Sequence, residues 1–154
     1  MRRVVTAIGP QSGQTLIEIG AGGGELTLPL AARNTSRIVA VETDRLLFTR
    51  LESAIEESGA AHVEPVYADF LALDFERFLH ERSLNRIRVV GNLPFSVASP
   101  ILLKLLSHRQ HLIDLTLMFQ LDVAARLVAR PATKPYGFLS VVAQQATRVT
   151  MLFP

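Results

Sequence analysis

Short apolar runs that alternate with helical segments are the feature that most constrains the fold of this chain. Continuous apolar runs are typical of parallel strands buried on both faces, and their alternation with helices predicts βαβ units. The predicted strands cover residues 15–19, 37–42, 62–67, 87–90 and 112–119, and the predicted helices between them cover 25–33, 45–57, 75–81 and 97–107. We therefore expect an α/β domain with a doubly wound, mostly parallel sheet.

The C-terminal third continues the pattern less regularly. After Gln120 we expect a helix to about residue 129, then a loop with Pro131 and Pro135. A helix over 138–146 and a last strand over 148–153 would complete the chain. We find no repeat, low-complexity tract or linker, so all 154 residues are expected to form one domain.

Composition excludes several classes of protein. The chain has no cysteine, which excludes disulfides and thiolate chemistry, and its four histidines show no ligand spacing, so we expect no metal. No apolar run approaches the ~20 residues of a membrane span. We expect a cytoplasmic protein that does not enter a membrane.

Charge is divided unevenly along the chain. Residues 1–84 hold 8 arginines and 12 acids, a net charge of −4, whereas residues 85–154 hold 8 Lys and Arg and 2 acids, a net charge of +6. Arg126 and Arg130 are predicted on one helical face, with Lys134 in the following loop, and such a cluster suits phosphates. The alternative is an ordinary solvated helix face.

A glycine-rich loop follows the first predicted strand, in the segment Leu16-Ile-Glu-Ile-Gly-Ala-Gly-Gly-Gly-Glu25. Gly20 and Gly22 allow a tight turn and a close approach of the backbone to a ligand. The third glycine of a dinucleotide fingerprint would fall at Glu25, where a carboxylate would repel a pyrophosphate. S-adenosylmethionine, which has no phosphate, fits this loop better than a nicotinamide dinucleotide, so an oxidoreductase is disfavoured.

Two acids follow the next two strands. Glu42 could accept hydrogen bonds from both ribose hydroxyls of such a cofactor, and Asp69 could accept from its adenine amine. Phe70 could pack on the cofactor ring. Each residue has a structural alternative, because such acids often cap helices and Phe70 could belong to the core.

The tetrapeptide Asn92-Leu93-Pro94-Phe95 follows the fourth predicted strand and suits methylation of an exocyclic amine. The Asn92 side chain could accept one amine hydrogen, and the Leu93 or Pro94 carbonyl the other. Phe95 could stack on the base. The alternative is a strand-end turn with a core phenylalanine.

With these motifs in order, the chain resembles the KsgA family of small-subunit rRNA adenine dimethyltransferases, which is related to the Erm methylases and to mitochondrial transcription factor B. The matching segments are Glu18-Ile-Gly-Ala-Gly-Gly-Gly, Val41-Glu-Thr-Asp44, Ala68-Asp69, Gly91-Asn-Leu-Pro-Phe95, Phe119-Gln120, Ala125-Arg-Leu127 and Lys134-Pro-Tyr-Gly-Phe-Leu-Ser140. The resemblance implies a Rossmann-like class I methyltransferase domain across the whole chain.

The resemblance also implies roles for individual residues. Catalytic contacts are expected from Asn92, Pro94 and Phe95, and RNA contacts from Arg126, Arg130 and Lys134. S-adenosylmethionine contacts are expected from Glu18, Gly20, Gly22, Glu42, Asp69, Phe70 and Asn92. The implied reaction is N6,N6-dimethylation of adjacent adenines in 16S rRNA during ribosome biogenesis, with ribosomal RNA or a small-subunit assembly intermediate as partner.

Departures from the family pattern leave an alternative open. The family begins with a Gln-x-Phe-Leu segment over the cofactor, whereas this chain starts at Met1-Arg-Arg-Val4, inside the following helix. Leu121-Asp122 stands where the family has Lys-Glu. The chain is expected to lack the family's final antiparallel strand, which would follow residues 148–153, and the C-terminal helical domain. This leaves a monomer that could self-associate. An impaired or non-catalytic RNA-binding fragment is therefore the alternative function.

Overall fold

The computed structural model describes residues 2–33 and 37–153. Its strands are β1 (Thr15–Ile19), β2 (Arg37–Glu42), β3 (Val63–Tyr67), β4 (Ile87–Asn92) and β5 (Leu112–Met118). Its α-helices are α1 (Arg2–Ile8), α2 (Thr27–Ala31), α3 (Arg45–Ser58), α4 (Phe75–Glu81), α5 (Ala98–Ser107), α6 (Leu121–Leu127) and α7 (Phe138–Ala146), with a 3₁₀ turn at Arg109–His111.

The five strands form one sheet in the order β3-β2-β1-β4-β5, and every neighbouring pair is parallel. The chain moves outward from β1 to β3, then returns to the other side of β1 with β4. The order of strands therefore reverses between β1 and β4, the position at which open α/β sheets bind ligands beyond the carboxyl ends of their strands. The prediction of a doubly wound parallel sheet is confirmed.

The core has a layer on each face of the sheet, because alternate strand residues point to opposite faces. Ile17, Val39 and Val89 join residues of α4 and α5 in one layer. Leu16 and Ile38 join residues of α1, α2 and α3 in the other. A smaller cluster of Leu102, Leu106, Leu127 and Ala143 packs α5, α6 and α7 together.

Polar residues fix the beginnings of two helices where the sequence predicts them. The Asp44 side chain accepts hydrogen bonds from the Leu46 and Leu47 amides at 2.8 and 2.9 Å, which caps α3. The Asp74 side chain accepts from the Arg77 amide at 3.0 Å and caps α4. These caps explain why α3 and α4 begin where the sequence predicts.

Two predicted helices are too long. Helix α2 begins at Thr27, because the glycine loop continues through residue 26 and Glu25 turns back to accept the Gly23 amide at 3.0 Å. Helix α6 ends at Leu127, because Pro131 disfavours helical backbone before it and the Gln144 side chain binds the last carbonyls. The prediction that Arg126 and Arg130 share a helical face is wrong, since Arg130 lies beyond the helix.

The predicted last strand, 148–153, is also wrong. This segment has no regular structure and pairs with no strand in the described part of the chain. Val149 packs against the small cluster of α5, α6 and α7. The Phe153 ring lies 4.9 Å from the Arg3 guanidinium at the other end of the chain. The segment is thus held by side-chain packing, without the backbone ladder that makes a strand.

One buried arginine closes the amino end of the sheet. Arg88 lies in β4 and forms an ion pair with Asp114 of β5 at 2.9 Å. Its guanidinium also donates to the Ile8 carbonyl at 2.6 Å, the Gly9 carbonyl at 3.3 Å and the Gln14 side chain at 3.0 Å. Arg88 therefore ties β4, β5 and the end of α1 together.

Within residues 2–33 and 37–153, no helix has the length and apolar character needed to cross a membrane.

Candidate active site

A cleft of about 490 Å³ opens at the carboxyl ends of β1, β2 and β4, where the strand order reverses. Five acidic side chains line it, and the described residues contribute no Lys, Arg or His to its wall. The acids are Glu18, Glu25, Glu42, Asp44 and Asp69. Such a lining repels phosphates and attracts cations, so it fits a sulfonium cofactor without phosphate better than a dinucleotide.

Backbone contacts at the switch point require two glycines. Gly20 has a φ of 71°, a left-handed conformation that other residues rarely adopt. A Cβ on Gly91 would lie 2.7 Å from the Ile19 carbonyl oxygen, which leaves no room for a side chain. These glycines bring the ends of β1 and β4 together, so the glycine loop lies beside Asn92.

Backbone amides hold the Glu42 carboxylate at the end of β2. One oxygen accepts from the Gly22 amide at 2.7 Å, and the other accepts from the Thr43 and Asp44 amides at 2.8 Å each. A carboxylate has about four acceptor positions, so roughly one remains for a ligand. The remaining acceptor position serves one ribose hydroxyl, and the expectation that Glu42 accepts from both hydroxyls stays a prediction.

Glu18 lies beneath the glycine loop, and its side chain is almost fully buried. Its carboxyl accepts a hydrogen bond from the Thr27 hydroxyl at 2.7 Å. Burial is the main cause that raises the pKa of Glu18 to about 8, and the Thr27 hydrogen bond opposes that rise. At neutral pH this group is therefore mainly protonated, and it can donate as well as accept at the floor of the cleft.

Asp69 and Phe70 follow β3 on the opposite wall. One Asp69 oxygen accepts from the Leu71 amide at 2.8 Å, and its exposed side chain leaves the other oxygen accessible. Phe70 is only 3% exposed and packs edge-on against Phe75, with ring centroids 5.3 Å apart. Phe70 thus belongs to the core and also lines the cleft, and its packing on a cofactor ring stays a prediction.

The tetrapeptide 92–95 forms the rim of the cleft. Asn92 ends β4 with an exposed side chain, and Phe95 is 71% exposed, which contradicts the alternative of a core phenylalanine. The Pro94 carbonyl accepts from the Val97 and Ala98 amides at 3.1 and 3.0 Å in the first turn before α5. The Pro94 carbonyl is therefore already occupied by two amides. The Leu93 carbonyl takes no part in that turn, so it is better placed than the Pro94 carbonyl to accept a hydrogen bond from an amine.

The residues predicted to bind RNA are only partly brought together. Arg126 and Lys134 line a second cleft of about 590 Å³ with Tyr136 and Phe138, whereas Arg130 does not contribute to it. Its wall is fixed by Ser140, which accepts from the Gly137 amide at 3.0 Å and donates to the Arg126 carbonyl at 2.5 Å. The Lys-Pro-Tyr-Gly-Phe-Leu-Ser segment therefore builds this cleft.

Sequence reasoning missed Lys104. This lysine of α5 donates to the carbonyls of Phe70 and Leu71 at 2.8 and 3.0 Å and also to the Leu73 carbonyl. A single lysine within the apolar segment Ile101-Leu-Leu-Lys-Leu-Leu106 was the available signal. Thr27, the partner of Glu18, gave no comparable signal.

Comparison with known proteins agrees with this geometry. The model of the family described as ribosomal RNA adenine dimethylase matches residues 1–153. Similar curated proteins include "Ribosomal RNA small subunit methyltransferase A" of Xanthomonas axonopodis pv. citri, 39% identical over 98% of this chain and 55% of the relative. The protein of the same name from Moorella thermoacetica is 40% identical over 96% of this chain and 52% of the relative. The chain thus spans about half the length of these relatives.

Solved structures give the same fold. A dimethyladenosine transferase from Plasmodium falciparum matches with a TM-score of 0.79 and 23% identity, over 93% of this chain and 49% of that protein. The 23S rRNA methyltransferase ErmE matches with a TM-score of 0.67 and 26% identity, over 80% of this chain and 46% of that protein. The fold is that of S-adenosylmethionine-dependent class I methyltransferases, and by its sequence the chain belongs to the ribosomal RNA adenine dimethylase family.

Proposed function

We propose that this chain carries the catalytic unit for S-adenosylmethionine-dependent N6,N6-dimethylation of adjacent adenines in 16S rRNA during ribosome biogenesis. The single observation that carries the proposal is the exposed Asn92 amide at the rim of an acid-lined cleft. Membership of the adenine dimethylase family supports the substrate. The substrate would be ribosomal RNA or a small-subunit assembly intermediate, and the reaction would take place in the cytoplasm.

The cofactor would lie between the glycine loop and the Asp69 loop. Glu42 would accept from a ribose hydroxyl, Asp69 from the adenine amine, and Phe70 would close the wall beside the ring. Bound there, S-adenosylmethionine supplies an electrophilic methyl group. The backbone around Gly20 and Gly22 allows the close approach that this requires.

The target adenine would be held by the rim. The Asn92 side-chain oxygen and the Leu93 carbonyl would accept the two amine hydrogens and orient the nitrogen lone pair towards the methyl group. Phe95 would stack on the base, because its ring is exposed and does not pack in the core. Pro94 would fix the turn that presents these groups. The adenine must be unpaired or flipped to reach them.

RNA phosphates would contact the basic half of the chain. Asn92 pairs with Met118 at the ends of neighbouring strands, so the start of α6 lies next to the rim. Arg126 and Lys134 would bind phosphates in the second cleft, where Phe138, 69% exposed, offers a further stacking surface. Arg130 is exposed and lies beyond α6. It would add electrostatic attraction for RNA without a defined contact.

The test is methyl transfer from radiolabelled S-adenosylmethionine to unmethylated small-subunit rRNA by the unaltered chain and by Asn92→Ala. We expect the substitution to lower the rate about 10²–10³-fold, the cost of removing one preorganised polar group from a reaction centre. Binding of S-adenosylhomocysteine should weaken far less than the rate, because Asn92 is only one of the residues expected to contact the cofactor.

Lys134→Ala serves as the matched comparison, because it should weaken RNA binding and leave the rate at saturating RNA nearly intact. Full activity of Asn92→Ala would contradict the proposed site. RNA binding by the unaltered chain without any methyl transfer would instead support a non-catalytic RNA-binding fragment.

A further inference from the structure

Lys104 connects the two walls of the acid-lined cleft. It lies on α5, the helix that follows the Asn92 rim, while its ammonium group reaches the loop after β3. There it donates to three backbone carbonyls, those of Phe70, Leu71 and Leu73. A lysine ammonium has three hydrogens, so all three donors are used on one loop.

The loop at residues 69–73 is otherwise closed on Asp69. The Leu71 amide donates to the Asp69 carboxylate at 2.8 Å, and the Ala72 and Leu73 amides donate to the Asp69 carbonyl at 3.0 and 3.1 Å. The amides of this loop thus donate to Asp69, and the carbonyls of the same loop accept from Lys104. The direction of the Asp69 carboxylate depends on both sets of bonds.

The environment of Lys104 favours this arrangement over a solvated side chain. Its ammonium lies 5.3 Å from the centre of the Phe70 ring, within reach of a cation–π contact. Desolvation lowers the pKa of Lys104, while the charges of Asp69 and Asp74 oppose that shift. The lysine is therefore half-buried and within electrostatic reach of both acids.

We infer that Lys104 is a positioning residue, which holds the loop at residues 69–73 so that the free oxygen of Asp69 reads the amine of an adenine in the cleft. The inference rests on the proposed cofactor site and assigns the selectivity for an adenosyl group to a residue that touches no ligand itself. Loss of Lys104 would let the loop relax and would turn Asp69 away from the adenine.

The test compares two ligands by calorimetry. One is S-adenosylhomocysteine, and the other is S-inosylhomocysteine, which carries an oxo group where adenine has its amine. A carboxylate at Asp69 accepts from the amine and opposes the oxo group. The unaltered chain should therefore prefer the adenosyl ligand by about tenfold or more, the worth of a hydrogen bond to a charged group.

Lys104→Met keeps the apolar stem and removes the ammonium, so the preference should fall to about twofold or less. The control is Arg86→Met, which removes an exposed cation at the amino end of β4, away from the cleft, and should keep the full preference. Circular dichroism establishes that each variant is folded. If Lys104→Met does not fold, Lys104→Gln, which retains an amide donor, is measured in its place.

The outcomes separate the inference from the function on which it rests. A folded Lys104 variant that weakens both ligands equally and keeps the preference would overturn the positioning role, because a purely structural effect does not distinguish the two bases. An unaltered chain that binds neither ligand would contradict the cofactor site itself, and the inference with it. Loss of the preference in the lysine variant alone supports the inference.

Discussion

The two ends of the parallel sheet neutralise their charged groups in opposite ways. At the amino end, Arg88 is buried and donates to an acid, an amide side chain and two carbonyls. At the carboxyl end, Glu42 is buried and held by three backbone amides. Side-chain pairing closes the first end, whereas amides hold the acids of the second end without covering the cleft.

One sheet thereby has a stable amino end and a carboxyl end that can bind a ligand. Loops at the carboxyl end supply amides as they leave the strands, so acids can be buried there with no basic partner. Acceptor capacity then remains for a ligand, at a site where water is partly excluded. Substitutions at the amino end should therefore change stability alone, and those at the carboxyl end should change both stability and binding.

The largest effect is expected from Arg88→Met. The substitution removes the buried arginine of an ion pair whose aspartate is exposed, and it leaves the Ile8 and Gly9 carbonyls without their donor. The free energy of unfolding should therefore fall by about 3 kcal/mol. Urea unfolding measures the loss. Affinity of the folded variant for S-adenosylhomocysteine should not change, and a tenfold weaker binding would break the division between the two ends.

A smaller effect on stability is expected from Glu42→Gln. The glutamine side chain has one acceptor oxygen where the glutamate has two. At least one of the backbone amides of Gly22, Thr43 and Asp44 therefore loses its partner, at a cost of about 2 kcal/mol. Binding of S-adenosylhomocysteine should weaken as well, by about tenfold. Glu57→Gln on the exposed side of α3 is the control. Unchanged binding by the Glu42 variant would remove this acid from the site.

At pH 5 the smallest effect is expected from Glu18→Gln, and this effect grows as pH rises. The unfolded chain ionises this group near pH 4.5, whereas the folded chain keeps its proton up to about pH 8. Stability of the unaltered protein should therefore decline as pH rises from 4.5 to 8 and level off above that. The glutamine variant lacks this contribution.

Urea unfolding at pH 5, 6.5 and 8 should show the Glu18→Gln variant gaining on the unaltered chain with each step, by about 3–4 kcal/mol in total. A constant difference across these pH values would show that Glu18 is ionised in the fold, and that its burial does not govern its charge.

Much of the fold could be predicted because the sequence carries strong local signals. β1 and β2 are buried apolar runs, and their predicted bounds are confirmed. The bounds of α4 are confirmed too, with Asp74 as its cap. Two of the errors lie where contacts distant in sequence decide the ends of elements, as with Gln144 at the end of α6 and the packing of Val149 in place of a last strand.

The order of the site was also predictable, since the carboxyl ends of parallel strands meet at one edge. That brings the glycine loop, Glu42 and Asn92 together, as the sequence indicates. The sequence does not predict which partners bind the hydrogen-bonding groups of these residues. Backbone amides take most of the Glu42 carboxylate, and the Pro94 carbonyl is used by the turn before α5, because these partners depend on loop geometry.

Calorimetric titration of the 154-residue chain with S-adenosylmethionine, with NADH as the competing ligand and Asp69→Ala as the matched variant, decides whether the acid-lined cleft is a cofactor site. The acid-lined cleft predicts binding of S-adenosylmethionine, no binding of NADH, and an affinity about tenfold weaker in the Asp69 variant. Binding of NADH, or equal affinity of the folded Asp69 variant for S-adenosylmethionine, would contradict the account.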